Sequence, residues 1–238
     1  MGKILVITHG QQEGPGTLGG FLESQGVQVR LVRLHEGDRL PGDPRRFDAI
    51  ITMGGRMYVH EDNRYPFLRD EAEFLERAVD CNIPMLGICL GAQIIARVCH
   101  AAINHSPSHT PGWSSVFVTE QGRKDILLQG IPEVMTVFHR CNEMFGIPQG
   151  ASLLASINGS PNQAFRYRNA YGLQFHIEIT KKMLTQWVKG MPQEKDILEE
   201  YNNIKIAYTR QAKIIYSNFL WLVELHHRSL ARRSGRSL

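Results

Sequence analysis

The stretch IPMLGICLGAQIIARVCHA, residues 83–101, decides the fold class that this sequence predicts. Its first seven residues form an apolar run of strand length, and the residues that follow indicate a helix. Gly87 and Gly91 flank Cys89 in the form G-x-C-x-G, where the two segments meet. The pattern indicates a strand that turns tightly into a helix, with Cys89 on the turn and small residues beside it.

Similar alternation runs through the rest of the chain. Before this stretch, strand-like runs lie at 3–9, 27–34 and 47–55. Helix-like runs lie between or after them, at 17–26 and 65–82. This order predicts an α/β domain with a doubly wound, mainly parallel sheet built from βαβ units. After it come short strand-like runs separated by turn signals, at 112–121, 134–139, 151–157, 162–169 and 171–177. These runs predict an antiparallel extension of the sheet.

A long helix is predicted after Pro192, because apolar residues recur there every three or four positions. The stripe comprises Ile197, Tyr201, Ile204, Tyr208, Ala212, Ile215, Phe219 and Leu222. We expect this helix to pack on the domain; docking to a partner chain or to a second copy is the alternative. The predicted organisation is a single domain over residues 1–225, which includes a C-terminal helical extension at 183–225.

Composition indicates a globular protein, with 42% apolar and 21% charged residues. The net charge of +4 comes from residues 226–238, which hold four arginines and no acid; without them, basic and acidic residues both number 23. We expect a disordered basic tail there rather than a nucleic-acid contact, because no aromatic residues are interleaved for stacking. No apolar run is long enough to span a membrane.

Four cysteines are present, namely Cys81, Cys89, Cys99 and Cys141. None forms a C-x-x-C pair, which argues against a zinc ribbon or a dithiol redox motif. A chain of this length needs no disulfides to stabilise its core, so the expected location is the reducing cytoplasm.

Cys89 is a candidate nucleophile because the predicted turn places it at a helix N-terminus. Unpaired N–H groups and the helix dipole favour a thiolate there, and the N–H of Leu90 is available to an oxyanion. A buried structural cysteine is the alternative. Two glycines, Gly54 and Gly55, follow a buried strand and can aim another backbone N–H at an oxyanion, unless they form an ordinary turn.

His176 and Glu178 complete the candidate site. They lie two residues apart at a predicted strand end, so they share one face. A histidine beside a thiol can take its proton and later protonate a leaving group, and a carboxylate beyond it fixes the tautomer. On its own, an H-x-E sequence favours a surface pair over a catalytic one.

The three segments, in the order M-G-G, G-I-C-L-G-A-Q and G-L-Q-F-H-x-E, resemble the class I glutamine amidotransferase family. The resemblance runs from about residue 47 to about residue 180. It is greatest to stand-alone members similar to the glutaminase domain of GMP synthase, and it implies a flavodoxin-like core.

The resemblance also implies roles for individual residues. These are Cys89 as nucleophile, His176 as base, Glu178 as orienting acid, Gly55 and Leu90 as oxyanion-hole donors, and Gly54 and Gln93 as substrate contacts. The implied reaction releases ammonia from glutamine through a γ-glutamyl thioester and requires no metal or other cofactor. The ammonia acceptor is then expected to be a synthetase on a separate chain, and a homo-oligomer is compatible with the sequence.

Two departures from the family pattern leave other functions open. The family usually reads G-G-P and H-P-E at the positions where this chain has Arg56 and Ile177. The loops at 109–113 and 140–145 also differ from those of the family. One alternative is therefore a hydrolase with the same triad that acts on a γ-glutamyl peptide or another small amide. The other is a non-catalytic binding or regulatory module on the same fold.

Overall fold

The computed structural model describes residues 2–105, 111–140, 143–158 and 160–233. The strands are β1 (Lys3–Thr8), β2 (Gln28–Arg33), β3 (Ala49–Thr52), β4 (Met85–Ile88), β5 (Ile103–His105), β6 (Gly112–Val118), β7 (Val134–His139), β8 (Glu143–Phe145), β9 (Ser152–Ile157), β10 (Ser160–Tyr167) and β11 (Ala170–Leu173). The α-helices are α1 (Gly16–Ser24), α2 (Phe67–Asp80), α3 (Leu90–Val98), α4 (Glu120–Lys124), α5 (Lys181–Val188) and α6 (Glu194–Arg233).

Nine strands form one sheet in the order β2-β1-β3-β4-β11-β10-β9-β6-β7. The first five are mutually parallel, and β10, β9, β6 and β7 continue the sheet as antiparallel strands. The remaining strands, β5 and β8, pair separately. The prediction of a mainly parallel sheet with an antiparallel extension is therefore confirmed.

Helices cover both faces of the parallel part, because alternate residues of each strand point to opposite sides. In β1, Ile4 and Val6 belong to a core cluster that includes residues of α1 and α6. Their neighbours Leu5 and Ile7 belong to a second cluster, with residues of α2 and α3. Burial on both faces explains why the inner strands β1, β3 and β4 are almost continuous apolar runs in the sequence.

The long helix α6 packs on the domain, as expected. Six members of its apolar stripe are buried, namely Ile197, Tyr201, Tyr208, Ala212, Ile215 and Phe219. The helix continues through Arg233, past residue 226, where we expected the basic tail to begin. This segment is rich in good helix formers, and Arg228 pairs with Glu224 one turn before it. Residues 234–238 lie outside the described part of the chain.

The structure also bears on the membrane expectation. Within the described ranges, no helix has the length and apolarity that a membrane span requires.

Candidate active site

The turn between β4 and α3 holds Cys89 in an unusual backbone conformation. Its φ is 53° and its ψ is −107°, and it occupies the N-cap position of α3. A positive φ is costly for a residue with a Cβ and persists only where the surroundings enforce it. The predicted tight turn from strand to helix is thus present, and the cysteine, buried with 3% exposure, lies at the helix N-terminus.

The two glycines of G-x-C-x-G are required by close packing. A Cβ built on Gly87 would lie 2.6 Å from the carbonyl carbon of Gly91. A Cβ built on Gly91 would collide with the carbonyl oxygen of Thr52, and the N–H of Gly91 donates to the carbonyl of Met53 over 3.1 Å. A side chain at Gly91 would therefore push the turn away from β3, and one at Gly87 would push β4 away from the start of α3.

Three neighbouring parallel strands end beside this turn. Thr52 of β3 is in register with Gly87, and Leu173 of β11 with Ile88. The N–H of Cys89 donates to the carbonyl of Leu173 over 2.8 Å. The segments that follow β3, β4 and β11 meet at one carboxyl edge of the sheet, where ligands of open α/β sheets bind.

His176 and Glu178 form a buried pair just beyond β11. Nδ1 of His176 lies 2.7 Å from Oε1 of Glu178, and both side chains are almost fully buried. The backbone N–H of His176 donates to the carbonyl of Phe138, which ties the segment to β7. A carboxylate on Nδ1 leaves Nε2 as the ring nitrogen available for proton transfer.

Gly54 lies next to both the cysteine and the histidine. A Cβ built on Gly54 would lie 2.9 Å from Cε1 of His176 and 3.6 Å from Cβ of Cys89. The absence of a side chain at Gly54 therefore makes room for the ring of His176, and Cβ of Cys89 lies within ordinary van der Waals distance of the same point. The structure brings together the segments that the sequence analysis selected, with the His176–Glu178 pair on one side and Cys89 on the other.

Isoleucine at position 177 does not disturb this geometry. Its N–H donates to Oε2 of Glu178 over 2.9 Å, a bond that proline could not make. Two tyrosines of α6 form hydrogen bonds with the backbone of the same segment. The hydroxyl of Tyr208 donates to the carbonyl of His176 and accepts from the N–H of Ile179, both over 3.2 Å.

The second tyrosine is Tyr216. Its hydroxyl donates to the carbonyl of Ile177 over 2.9 Å and contacts Oγ1 of Thr17. Burial raises the pKa of both Tyr208 and Tyr216, so these hydroxyls stay protonated and able to donate.

An aromatic and charged cluster borders the histidine. The ring of Trp187 meets the ring of His176 edge-on, with centroids 4.7 Å apart. The guanidinium of Arg140 lies over Trp187 at 4.6 Å and pairs with the buried carboxylate of Glu13 at 3.0 Å. Arg56 pairs with the same carboxylate at 3.2 Å. Two cations thus share one anion beside the candidate site.

The Gly54–Gly55 peptide is held by a buried polar network. Nδ1 of His9 lies 3.1 Å from the carbonyl oxygen of Gly54, and Nε2 lies 2.6 Å from Oε2 of Glu71. Thr52 donates to the other oxygen of that carboxylate over 2.6 Å. Burial acts to lower the pKa of His9, but the charge of Glu71 and the hydrogen bonds outweigh burial, so the pKa is raised.

The two predicted oxyanion-hole residues are adjacent. A Cβ built on Gly55 would lie 2.5 Å from Cδ2 of Leu90. Gln93 is buried one turn into α3, and its amide nitrogen donates to the carbonyl of Glu143 over 2.9 Å. In this structure Gln93 therefore links α3 to β8. Its role as a substrate contact stays a prediction.

Sequence reasoning missed His9, Glu71, Tyr208 and Tyr216 as parts of the site. Glu71 was detectable from the sequence, because it lies on the apolar face of α2, between Leu68 and Phe74. A carboxylate on a buried helix face needs a partner. The tyrosines gave no signal beyond an apolar stripe. No group of three or more His, Cys, Asp or Glu side chains in the described ranges is placed to hold a metal ion.

Parts of the predicted loops and one cysteine lie outside the described residues. These are residues 106–110 and 141–142, which include Cys141. Cys99 is described and buried, and burial raises the pKa of its thiol to about 12.

Comparison with solved structures supports the fold. A glutamine amidotransferase from Thermotoga maritima superposes with a TM-score of 0.83 at 24% identity, covering 91% of this chain and 97% of that one. At this identity the likeness concerns the fold alone. It confirms the predicted flavodoxin-like architecture.

Sequence comparison identifies the family. A glutamine amidotransferase-like protein of Salmonella typhimurium is 29% identical over 196 residues, which cover 81% of this chain and 82% of that protein. A glutamine-hydrolyzing GMP synthase subunit from Ignicoccus hospitalis is 29% identical over 142 residues, covering 58% and 71% respectively. The family model described as glutamine amidotransferase class-I matches residues 21–188. The chain therefore belongs to the class I glutamine amidotransferase family.

Proposed function

We propose that this protein is a cysteine-dependent glutamine amidohydrolase that releases ammonia through a γ-glutamyl thioester. The observation that carries the proposal is the convergence at Gly54. Cys89 and His176 approach the same glycine, and Glu178 occupies the far nitrogen of the histidine at 2.7 Å. A thiol, a base and an orienting carboxylate are the parts that nucleophilic amide cleavage requires.

In the first half of the proposed reaction, Sγ of Cys89 attacks the side-chain amide carbon of glutamine. His176 takes the thiol proton, and the carbonyl oxygen becomes an oxyanion that accepts hydrogen bonds from the N–H groups of Gly55 and Leu90. The C–N bond then breaks. The histidine returns the proton to the departing nitrogen, which leaves as ammonia, and Cys89 carries a γ-glutamyl thioester.

In the second half, water replaces the thiol. His176 takes a proton from the water molecule, whose oxygen attacks the thioester carbon. The C–S bond breaks, glutamate leaves, and the proton returns to Sγ of Cys89. The net reaction is glutamine plus water to glutamate plus ammonia.

The relatives favour an ammonia acceptor on another chain. The Ignicoccus protein is named as one subunit of GMP synthase. We propose that this chain likewise supplies ammonia to a synthetase on a separate chain. Because the mechanism needs a reduced thiol at Cys89, we also propose a cytoplasmic location.

Ammonia release from glutamine tests the proposal. We expect wild-type protein to produce glutamate and ammonia in equal amounts and Cys89→Ala to lose the activity. Cys99→Ala is the matched control, because it also removes a buried thiol but lies at the far end of α3. Equal activity of Cys89→Ala and wild-type protein would overturn the mechanism.

A γ-glutamyl dipeptide is a second candidate substrate, and the cluster beside the site favours it. Within the described ranges, Arg56 and Arg140 pair with one carboxylate, that of Glu13, so these three side chains together carry a net positive charge. A dipeptide differs from glutamine by a carboxylate on the leaving amine, and that group is complementary to a cationic border.

Competing substrates separate the two candidates. If a dipeptide is the substrate, kcat/KM for γ-glutamylglycine exceeds that for glutamine, and Arg56→Ala raises KM for the dipeptide without changing KM for glutamine. Faster turnover of glutamine, together with no effect of Arg56→Ala, would exclude the dipeptide.

A further inference from the structure

The His9 network contacts the peptide that joins Gly54 to Gly55 and not the reacting groups themselves. The ring of His9 is fully buried, and its two nitrogens face different partners. Nδ1 faces the carbonyl oxygen of Gly54 at 3.1 Å, and Nε2 faces the carboxylate of Glu71 at 2.6 Å. No part of this network belongs to the Cys89, His176 and Glu178 set.

Peptide planarity makes this contact directional. In a trans peptide the C=O and the following N–H point in opposite directions. Because the carbonyl of Gly54 points at the ring of His9, the N–H of Gly55 points away from it. Glycines rotate easily, so without an anchor this peptide could flip and replace the N–H with a carbonyl.

The protonation state of His9 follows from its partners. A carbonyl oxygen only accepts, so Nδ1 must carry a proton for the contact to exist. Glu71 occupies the other nitrogen, and its second oxygen is held by Thr52 at 2.6 Å. If only Nε2 carried a proton, Nδ1 would face the carbonyl oxygen of Gly54 without a proton to donate. This arrangement therefore disfavours that tautomer.

We propose that His9, held by Glu71 and Thr52, is a positioning residue that locks the Gly54–Gly55 peptide with the N–H of Gly55 directed at the substrate oxyanion. The inference rests on the proposed function, and it makes the oxyanion hole preformed in this chain. His9 touches neither substrate nor reacting atoms. It acts only through the peptide that it orients.

A matched pair of substitutions isolates the contact. His9→Asn keeps a donor at the position of Nδ1 and loses the contact with Glu71. His9→Gln keeps a donor near Nε2 and loses the contact with Gly54. Since one oxyanion-hole donor is worth about 100-fold to 1,000-fold in kcat, we expect His9→Gln to lose about 10-fold to 100-fold, with KM for glutamine unchanged. His9→Asn should stay within about threefold of wild-type protein, because it retains the donor to Gly54.

Alkylation of Cys89 by iodoacetamide provides the accompanying measurement, because this reaction forms no oxyanion. We expect both variants to be alkylated as fast as wild-type protein. A slower rate in His9→Gln alone would show that the nucleophile is disturbed, which contradicts a role confined to the peptide. Equal kcat of the two variants beside an active wild-type protein would overturn the role of His9 and leave the proposed function intact.

A spectroscopic measurement on wild-type protein decides the contact even if the variants do not fold. Nitrogen-15 NMR of the His9 ring should show a protonated Nδ1 from pH 6 to pH 8. An unprotonated Nδ1 in this range would overturn the inference. Absence of ammonia release by wild-type protein would instead overturn the proposed function, and with it the catalytic meaning of the contact.

Discussion

The hydroxyl of Tyr216, on the C-terminal helix α6, donates a hydrogen bond to the carbonyl of Ile177, which lies between the candidate base and its acid. Tyr208, two turns earlier on the same helix, binds the carbonyl of His176 in the same way. The helix thus supports the His176–Glu178 segment directly. A long terminal helix that covers the sheet also contributes to the geometry of the site.

The first prediction concerns Tyr208. Tyr208→Phe leaves the carbonyl of His176 and the N–H of Ile179 without this partner, which costs about 1–3 kcal/mol for each buried group left unsatisfied. We expect kcat for ammonia release to fall about tenfold, because the candidate base loses its alignment. KM for glutamine should change little, since no substrate contact is lost.

Tyr201→Phe is the control on the same helix. The ring of Tyr201 stacks against Trp113, and phenylalanine preserves this contact. Steady-state kinetics and urea unfolding of both variants give the comparison. Identical kcat values for the two variants would show that α6 does not support the catalytic geometry.

The second prediction concerns Ile177, which lies between the candidate base and its acid. Ile177→Pro removes the N–H that binds Oε2 of Glu178 over 2.9 Å. A hydrogen bond to a charged group contributes about 1.5–3 kcal/mol, so we expect Ile177→Pro to lower kcat about tenfold. Ile177→Val retains the N–H and most of the buried volume, and it should keep nearly full activity. A proline variant with wild-type kcat would contradict this prediction. It would show that the fixed φ of proline positions Glu178 without the hydrogen bond from residue 177.

The third prediction concerns the turn. Gly91→Ala places a Cβ against the carbonyl of Thr52, which is backbone and cannot rotate away. We expect a loss of stability of about 1–3 kcal/mol from overpacking and a loss of ammonia release. Gly20→Ala is the matched control: Gly20 is an exposed residue within α1, and a Cβ there meets nothing within 4 Å.

Thermal unfolding distinguishes these two glycines. Gly20→Ala should raise stability by up to about 1 kcal/mol, because alanine favours a helix more than glycine does. A Gly91→Ala protein with wild-type stability would show that the turn relaxes at no cost.

The fourth prediction concerns thiol reactivity. Burial raises the pKa of Cys99 to about 12, so almost no thiolate exists there at pH 8. We expect a chloroketone analogue of glutamine to modify Cys89 first, because among the three described cysteines that thiol alone has the candidate base and the proposed glutamine site beside it. Exposed Cys81 should react slowly and Cys99 not at all, as peptide mass spectrometry after timed quenching would measure. Modification of Cys81 before Cys89 would favour a non-catalytic module.

The fold was accessible from the sequence because its signals are local. Each pattern predicts the conformation of the residues that form it. The structure has β3 and β4 within the apolar runs at 47–55 and 83–89, and it has the turn at the G-x-C-x-G pattern. Helix α6 was predicted but was expected to end before the basic residues. Arginine does not interrupt a helix, so α6 continues through Arg233.

The support of the site was not accessible, because it depends on contacts between distant residues. His9 and Glu71 are 62 positions apart, and Tyr216 and Ile177 are 39 apart. A tyrosine in an apolar stripe has the same pattern whether its hydroxyl binds a catalytic segment or water. The sequence therefore predicts the candidate reacting groups, whereas the hydrogen bonds of His9, Tyr208 and Tyr216 emerge only from the three-dimensional structure.

The central claim, that Cys89 attacks a γ-glutamyl amide, is tested most directly by trapping the covalent intermediate. Wild-type protein is mixed with glutamine, quenched in acid within one turnover, digested and analysed by mass spectrometry. We predict a γ-glutamyl adduct on the peptide that contains Cys89, which disappears with hydroxylamine and is absent from Cys89→Ala. Ammonia release that proceeds with no adduct on Cys89, or with an adduct on another residue, would contradict the account.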